Sequence, residues 1–222
     1  MEDKLYQTVV DYIKEEIKAD RLRIGNKLPT ERELSARLNL GRNSIREALR
    51  TMSSLGMIES RQGSGNYLTG DISKFFTESF EILTLINKTN PLEINQMRRA
   101  LEIEALRQLI TTVTEEQVEL LQELAVRIDA MEQAKRSQED LHFHQMLIEF
   151  CGNSLMLMTS TALSSVFLST VDKNLQRLSE EGRMKTHRCH HALTDALRRK
   201  DFDAGIQAIS THYDIVDALL TD

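Results

Sequence analysis

Proline is almost absent from this chain, and that absence constrains its fold more than any other feature. Its only prolines are Pro29 and Pro91, so no proline interrupts residues 92–222. Proline breaks helix interiors because it lacks an amide hydrogen and clashes with the preceding turn. The stretch after residue 71 shows helical periodicity with almost no strand signal, and short breaks such as Gly152-Asn153 separate its helices. We therefore predict a mainly α chain whose C-terminal part is an all-α bundle of six to seven helices.

Composition and local patterns exclude several classes of protein. Cys151 and Cys189 form no CxxC pair, which excludes a thiolate zinc ribbon and fits a reducing cytoplasm. The N-terminus lacks the basic and then apolar layout of a secretory signal. Residues 150–171 carry no charge, a length that could cross a bilayer, but their many serines and threonines favour a buried helix. We expect a cytoplasmic protein without a membrane segment.

Charge is unevenly distributed along the chain. The net charge is −6, yet residues 21–61 hold nine Lys and Arg against four Asp and Glu. Residues 71–222 hold 16 basic and 24 acidic side chains. A basic N-terminal segment on an acidic body indicates a small anion-binding module attached to a larger domain of different purpose. We place the expected domains at residues 1–70 and 71–222.

The first seventy residues have the pattern of a helix-turn-helix. An apolar stripe with a period of four predicts the first helix, at Leu5, Val9, Ile13 and Ile17. Thr30 and Glu33 have the spacing of a capping box, so a second helix is expected over 31–38. Residues 39–41 contain a glycine and form a tight connection to a third helix over about 42–55. Two short helices joined by such a turn are typical of this motif.

A basic helix face and a hairpin complete the N-terminal module. Arg42, Arg46 and Arg50 are spaced four residues apart, so they share one face of the third helix, away from its apolar stripe. Residues 57–60 and 66–68 read as two short strands around a glycine-rich basic tip. The expected domain is therefore a winged helix-turn-helix of three helices and a small β-hairpin wing.

The segment LPTERELSARLNLGRNSIREALRTMSSLGMIESRQGSGNYL resembles the DNA-binding domain of GntR-family bacterial transcription regulators, and the similarity covers residues 5–68. Asn43 and Ser44 stand where the family commonly has two threonines, and Gly41 stands where it has Ser or Thr. Because of these differences, the resemblance does not determine which base sequence this chain recognises. Arginines at the start of a recognition helix reach guanine edges in the major groove. The resemblance implies a DNA-binding set of Arg32, Arg42, Asn43, Ser44, Arg46 and Gly63. A protein-binding winged helix is the alternative.

Four residues of the C-terminal part have the chemistry of a metal site. Asp140 and His144 are four residues apart, so they share one helix face. His190 and His212 lie at similar distances on either side of the break near residue 201, so an antiparallel helix pair brings them opposite each other. Three imidazoles and one carboxylate suit Zn²⁺, Ni²⁺ or Mn²⁺. The alternative interpretation is that these are ordinary surface or core histidines.

The same residues, together with Cys151-Gly152-Asn153, resemble the metal-binding FCD domain of the FadR-like GntR subfamily over residues 72–220. This resemblance implies that Asp140, His144, His190 and His212 bind a divalent transition metal, with Zn first and Ni or Mn as alternatives. It also implies a small carboxylate effector, such as a sugar acid, hydroxy acid or dicarboxylate. Arg98 occupies the place of a carboxylate-binding arginine. The alternative is a surface arginine paired with Glu102.

The resemblance leads to a hypothesis of a homodimeric repressor that binds a palindromic DNA operator under the control of the effector. A constitutive DNA-binding repressor with a purely structural metal is the alternative. An enzyme of the di-iron type needs Glu-x-x-His on two helices. Only Glu139 and His142 have that spacing, so we expect no enzyme.

Overall fold

The computed structural model describes residues 2–70, 73–131, 133–175 and 178–221. Within these ranges the chain forms ten helices and one antiparallel pair of strands, which confirms the predicted mainly α class. The elements are, in chain order, α1 (Glu2–Lys18), α2 (Glu31–Leu38), α3 (Arg42–Ser54), β1 (Ile58–Arg61), β2 (Gly65–Leu68), α4 (Ser73–Asn87), α5 (Pro91–Leu109), α6 (Glu115–Ala130), α7 (Gln133–Phe150), α8 (Ser154–Leu175), α9 (Glu180–Arg199) and α10 (Phe202–Thr221). The chain divides into two compact units, residues 1–76 and 77–222.

The core of the N-terminal unit is built by α1, α2, α3 and the hairpin. Its buried side chains include Val9, Ile13, Leu34, Ile45, Leu49, Met52 and Ile58. The predicted stripe of α1 is buried at Val9 and Ile13, whereas Ile17 at the end of the helix is 44% exposed. Burial of these side chains removes apolar surface from water and holds α3 against α1.

The turn between α2 and α3 is fixed at both ends by local chemistry. Thr30 Oγ1 accepts from the Glu33 amide at 3.3 Å, and the Glu33 carboxylate accepts from the Thr30 amide at 2.7 Å. This reciprocal cap starts α2 where the sequence predicts it. Asn39 ends α2 in the left-handed region with φ 52°, which asparagine tolerates better than most residues. The orientation of α3 relative to α2 is thereby fixed.

The wing is a four-residue antiparallel ladder. Its register runs from Ile58 opposite Leu68 to Arg61 opposite Gly65. Gly63 lies in the turn with φ +71°, a conformation that favours glycine. The Arg61 guanidinium lies 4.2 Å from the centre of the Tyr67 ring, so it packs on the hairpin.

The second unit is helical throughout its described part. Helices α5, α6, α7, α9 and α10 enclose its largest core, which includes Leu106, Leu109, Leu121, Ile128, Phe143, Leu147, Leu193, Leu197, Ile209 and Tyr213. Lys200 adopts φ 56° between α9 and α10, so the two helices form an antiparallel hairpin. A Cβ at Gly205 would lie 2.7 Å from Leu106 Cδ2. The missing side chain therefore lets α10 approach α5 closely.

One helix boundary differs from the sequence prediction. The periodicity predicts a single helix over residues 115–134 and the next from residue 138. In the structure α6 ends at Ala130 because Met131 is extended, with φ −81° and ψ 148°. Helix α7 then starts at Gln133, about one turn earlier than expected. No glycine or proline marks this junction, so the sequence carries no local signal for it.

The uncharged segment forms a turn and a buried helix. Gly152 has φ +73°, and the Asn153 side chain accepts from the Met156 amide at 3.1 Å, which starts α8 at Ser154. Ala162 and Val166 of α8 are buried within the second unit. Among the described helices, none combines the length and apolar character needed to cross a membrane.

Candidate functional site

Three helices of the second unit bring the predicted metal ligands together. Asp140 and His144 lie on α7, His190 on α9 and His212 on α10. One possible ligand atom from each residue lies within 4.8 Å of the others. The three histidines are buried, whereas the Asp140 side chain keeps 28% of its surface exposed. The α9–α10 hairpin places its two histidines opposite each other, with 4.9 Å between ring centres.

The separations between these atoms fit a single ion. Nε2 of His144 lies 3.1 Å from Nε2 of His212 and 3.7 Å from Asp140 Oδ2. Nε2 of His190 lies 3.2 Å from Asp140 Oδ1. Two neighbouring donors bound to one ion at about 2.0–2.2 Å lie roughly 2.8–3.6 Å apart, from octahedral to tetrahedral geometry. Two of the three distances fall in this range, and the third requires a small shift of Asp140.

Unpartnered polar atoms also fit a bound cation. Among the described residues, neither ring nitrogen of His190 has a hydrogen-bond partner of normal geometry, and Nδ1 of His212 has none either. A buried polar atom without a partner costs about 1–3 kcal/mol. A cation bound to Nε2 of His190 would remove part of this cost, whereas Nδ1 of His212 is not the atom that faces the other ligands. The donor set of three nitrogens and one oxygen is suitable for Zn²⁺, Ni²⁺ or Mn²⁺.

A buried carboxylate orients one of the ligands. Glu102 Oε2 lies 2.7 Å from His144 Nδ1, and the Tyr213 hydroxyl donates to Glu102 Oε1. Because a carboxylate only accepts, the hydrogen of the neutral His144 ring lies on Nδ1 and the lone pair on Nε2. Nε2 therefore faces the cluster in the form that binds a metal.

The protonation states of the cluster follow from burial and from mutual charges. Burial favours the neutral acid, but the interaction with His190 and the charges of His212 and His144 hold the pKa of Asp140 well below its ordinary value. Burial opposes a charged His144, but the charge of Glu102 and the contact with it outweigh burial and raise the pKa of His144. Burial, and then the charge of His144, push the pKa of His212 well below its ordinary value. An ionised Asp140 and a neutral His212 are metal-binding forms.

Arg98 is buried beside the cluster. Only 5% of its surface is exposed, and its guanidinium lies 4.4 Å from the centre of the Phe167 ring and 5.6 Å from that of Tyr213. Its Nη1 donates to Asn95 Oδ1 at 3.3 Å. This burial contradicts the alternative interpretation of Arg98 as a surface arginine paired with Glu102. A small cavity is bordered by Asn95, Arg98, Ser137, Asp140 and His212, among others.

The predicted DNA-binding residues lie on the surface of the N-terminal unit. Arg32, on α2, is exposed. The first turn of α3 presents Arg42, Asn43 and Ser44, of which Ser44 is half-buried. The other two positions, Arg46 on α3 and Gly63 at the wing tip, are exposed as well.

Two arginines of α3 are paired with acids, which the sequence pattern did not indicate. Arg46 makes two contacts with Glu31 of α2, from Nη2 at 2.9 Å and from Nε at 3.2 Å. Arg50 contacts Glu47 one turn away at 2.9 Å. Spacing within one helix cannot reveal the first pair because its members are 15 residues apart.

Other functional candidates were missed for a similar reason. Glu102 has no sequence signal beyond its spacing from Arg98. A second polar cluster joins α6 to α9, where Asp129 lies 2.9 Å from His187 Nδ1 and 2.7 Å from His191 Nε2. Neither histidine belongs to the metal-type cluster.

A winged helix-turn-helix followed by an all-helical domain with a His₃Asp cluster defines a class of two-domain DNA-binding regulators. Residues 5–68 match the gntR family of bacterial regulatory proteins, and residues 93–215 match the FCD domain. The chain belongs to the GntR family and carries an FCD domain. This is a family of transcription regulators and not of enzymes.

Curated relatives span nearly the whole chain. The HTH-type transcriptional repressor NanR of Citrobacter rodentium is 27% identical over 97% of this chain and 85% of its own length. NanR of Escherichia coli K12 is 26% identical over 97% and 84%. A solved structure of Streptococcus agalactiae GntR has a TM-score of 0.72 at 24% identity and covers 96% of this chain and 99% of its own. The structural similarity supports the fold.

Proposed function

We propose that this protein is a transcriptional repressor whose binding to a DNA operator is controlled by a small carboxylate. The effector binds at a metal site formed by Asp140, His144, His190 and His212, with Arg98 as a further contact. Residues 1–70 act as the DNA-binding domain, and residues 71–222 bind the effector and form the homodimer. The site of action is the cytoplasm.

One observation carries the effector site, namely the position of Arg98 next to the His₃Asp cluster at a shared cavity. A bound cation would supply positive charge and a coordination position for a carboxylate oxygen. Arg98 adds donors for the same carboxylate, and Asn95 and the two aromatic rings hold its guanidinium in place. Since Arg98 is buried, a carboxylate bound there is shielded from water, which strengthens the interaction.

DNA recognition is assigned to the exposed residues of α2, α3 and the wing. Arg42 and Arg46 read guanine edges in the major groove, and Asn43 and Ser44 contact neighbouring groups. Arg32 and the backbone at Gly63 bind phosphate or the minor groove. The curated relatives' description as repressors supports repression over activation. A palindromic operator fits two recognition helices related by the two-fold axis of a dimer.

Metal analysis combined with ligand-dependent melting tests the proposal. Elemental analysis of the purified full-length protein is expected to find a transition metal. Small carboxylates then raise the melting temperature of the metal-loaded protein but not that of the chelated protein. An effective acid also changes retention of a duplex that the protein has selected from a random pool. If chelation lowers the melting temperature but no acid shifts it, control by a carboxylate bound at the metal site is excluded.

That last outcome would favour the second candidate, a constitutive repressor with a purely structural metal. The observation behind this candidate is the depth of the three buried histidines. A closed site with four protein ligands stabilises a fold without offering a position to an effector.

A further inference from the structure

Arg98 is a buried cation without an anion of its own. Its Nη1 donates to the neutral amide of Asn95 at 3.3 Å, and in the described part of the chain no carboxylate lies within ion-pair distance of the guanidinium. Glu102, one turn further along α5, offers its two oxygens to His144 and Tyr213 instead. Because burying an unpaired charge is costly, the position of Arg98 favours a bound carboxylate.

The amide of Asn95 meets Arg98 in an orientation that Asp217 dictates. Asn95 is fully buried on α5 and borders the same cavity as Arg98. Its amide nitrogen donates to Asp217 Oδ1 at 2.6 Å. Because a carboxylate only accepts hydrogen bonds, the nitrogen of the amide must face Asp217, which leaves the oxygen for Arg98. Without Asp217 the amide could turn and present its nitrogen, a donor, to the guanidinium.

Packing of α10 on α5 fixes the position of Asp217. Its Oδ2 lies 4.0 Å from Arg99 Nη1, and the same nitrogen lies 2.8 Å from Asp214 Oδ1. On α10, Asp217 follows the metal-type ligand His212 by five residues. Helix α10 therefore reaches the proposed effector site at two points, directly through His212 and indirectly through Asp217 and Asn95.

The charges of these groups give a reason for an indirect contact. An acid at position 95 would form an ion pair with Arg98 and compete with the effector for it. A neutral amide orients the guanidinium and leaves its charge free, while the acid that orients the amide lies one hydrogen bond further away. We propose that Asp217 is a positioning residue that directs Arg98 toward the bound carboxylate through Asn95. This inference rests on the proposed function and extends the effector site to the last turns of α10.

Exchange of the two side chains tests this arrangement. The double variant Asn95→Asp with Asp217→Asn keeps both side-chain shapes, the hydrogen bond between them and the net charge, but it moves the carboxylate next to Arg98. The metal-loaded full-length protein is titrated calorimetrically with propionate, lactate and succinate. For the acid that binds the wild type most tightly, we expect a loss of affinity of about tenfold or more, because Arg98 is now paired. Metal affinity and melting temperature are not reduced. A merely structural contact would tolerate the exchange.

Single variants locate the effect. Asp217→Leu removes the acceptor and is expected to lower the affinity for the same acid about tenfold. In an Arg98→Met background Asp217→Leu causes no further loss, because it acts through the missing guanidinium. Asp214→Leu is the matched control, since Asp214 is another acid by which α10 contacts α5, and it leaves the affinity unchanged.

Three results would overturn the inference. Wild-type affinity in the exchanged variant would show that Arg98 does not need a neutral partner. Wild-type affinity in Asp217→Leu would show that Asn95 keeps its orientation without the acid. An equal loss for Asp217→Leu with and without Arg98 would make Asp217 a structural residue. If no acid binds the metal-loaded wild type, the proposed function fails before any variant is made, and the inference fails with it.

Discussion

Arg46 of α3 and Glu31 of α2 form a two-contact ion pair across the helix-turn-helix. The hydrogen bonds from Arg46, and then its charge, lower the pKa of Glu31, so the carboxylate stays ionised. Both side chains are more than a third exposed, and such pairs contribute little net stability. The pair would therefore cost little to break if Arg46 contacts a guanine as proposed.

Loss of Arg46 is expected to weaken operator binding. The variant Arg46→Ala should reduce affinity by roughly 10- to 100-fold and relax the preference at one base pair, because a guanine contact is lost. Gel retardation with a selected operator and its single-base variants measures both effects. Arg198→Ala is the matched control, since Arg198 is also exposed and paired, with Glu115 at 2.9 Å. Equal losses of operator affinity in the two variants would show that Arg46 does not contact a base.

Loss of His190 should separate sensing from DNA binding. The variant His190→Ala removes one of four ligands, so we expect low metal content and no effect of carboxylates on operator retention. Binding to the operator without effector stays intact because the winged domain is unchanged. Elemental analysis and gel retardation give the two readouts. His142→Ala, an exposed position on α7, retains metal. Full metal occupancy in His190→Ala would show that the ligand set is wrong.

Glu102 is expected to control metal affinity without binding the metal. In Glu102→Gln a neutral amide oxygen replaces the charged carboxylate as the acceptor for His144 Nδ1, so the ring becomes a weaker ligand and metal affinity should fall about 10- to 100-fold. Competition with a chromogenic chelator measures this change. Tyr213→Phe removes only the hydroxyl contact to Glu102 and should have a smaller effect. An unchanged affinity in Glu102→Gln would mean that the negative charge of Glu102 does not contribute to metal binding.

The raised pKa of His144 predicts a pH dependence with a defined sign. In the metal-free protein the charged His144–Glu102 pair stabilises the fold fully below the ordinary histidine pKa of 6.5 and is lost as the pH rises through the higher folded value. The melting temperature of the chelated protein should therefore exceed that of His144→Gln most at low pH. Melting curves between pH 6 and pH 9 measure the gap. A difference in melting temperature between the two proteins that increases with pH would contradict the raised pKa of His144. Metal affinity should change in the opposite direction, since protons compete for the ligands.

Helix α4 is the expected contact surface of the dimer. None of its described residues is buried, and Ile82, Leu85 and Ile86 are more than half exposed. Neighbouring apolar side chains with this exposure are typical of an interaction surface. Leu85→Glu is expected to yield a monomer in analytical ultracentrifugation and to lose cooperative operator binding. Leu155→Glu, at a leucine of α8 that is also more than half exposed, should remain dimeric. A monomeric wild type would exclude the dimer altogether.

Features with local signals could be predicted from the sequence. The capping box at Thr30 and Glu33 placed α2, and helical spacing together with the α9–α10 hairpin placed the four metal-type ligands. The end of α6 could not be predicted because an extended Met131 needs no special residue type. The role of Glu102 depends on packing between helices whose contacting residues are 42 positions apart, and periodicity carries no information on such pairs.

Two adjacent residues of α10 contribute to the cluster in different ways. His212 enters the cluster directly, whereas Tyr213 bonds to the carboxylate that aligns His144 on α7. A tilt of α10 would therefore displace one imidazole and loosen the support of another in the same movement. The four metal-type ligands are therefore expected to come together or to separate as a group. A bound cation should then hold α10 against the rest of its unit.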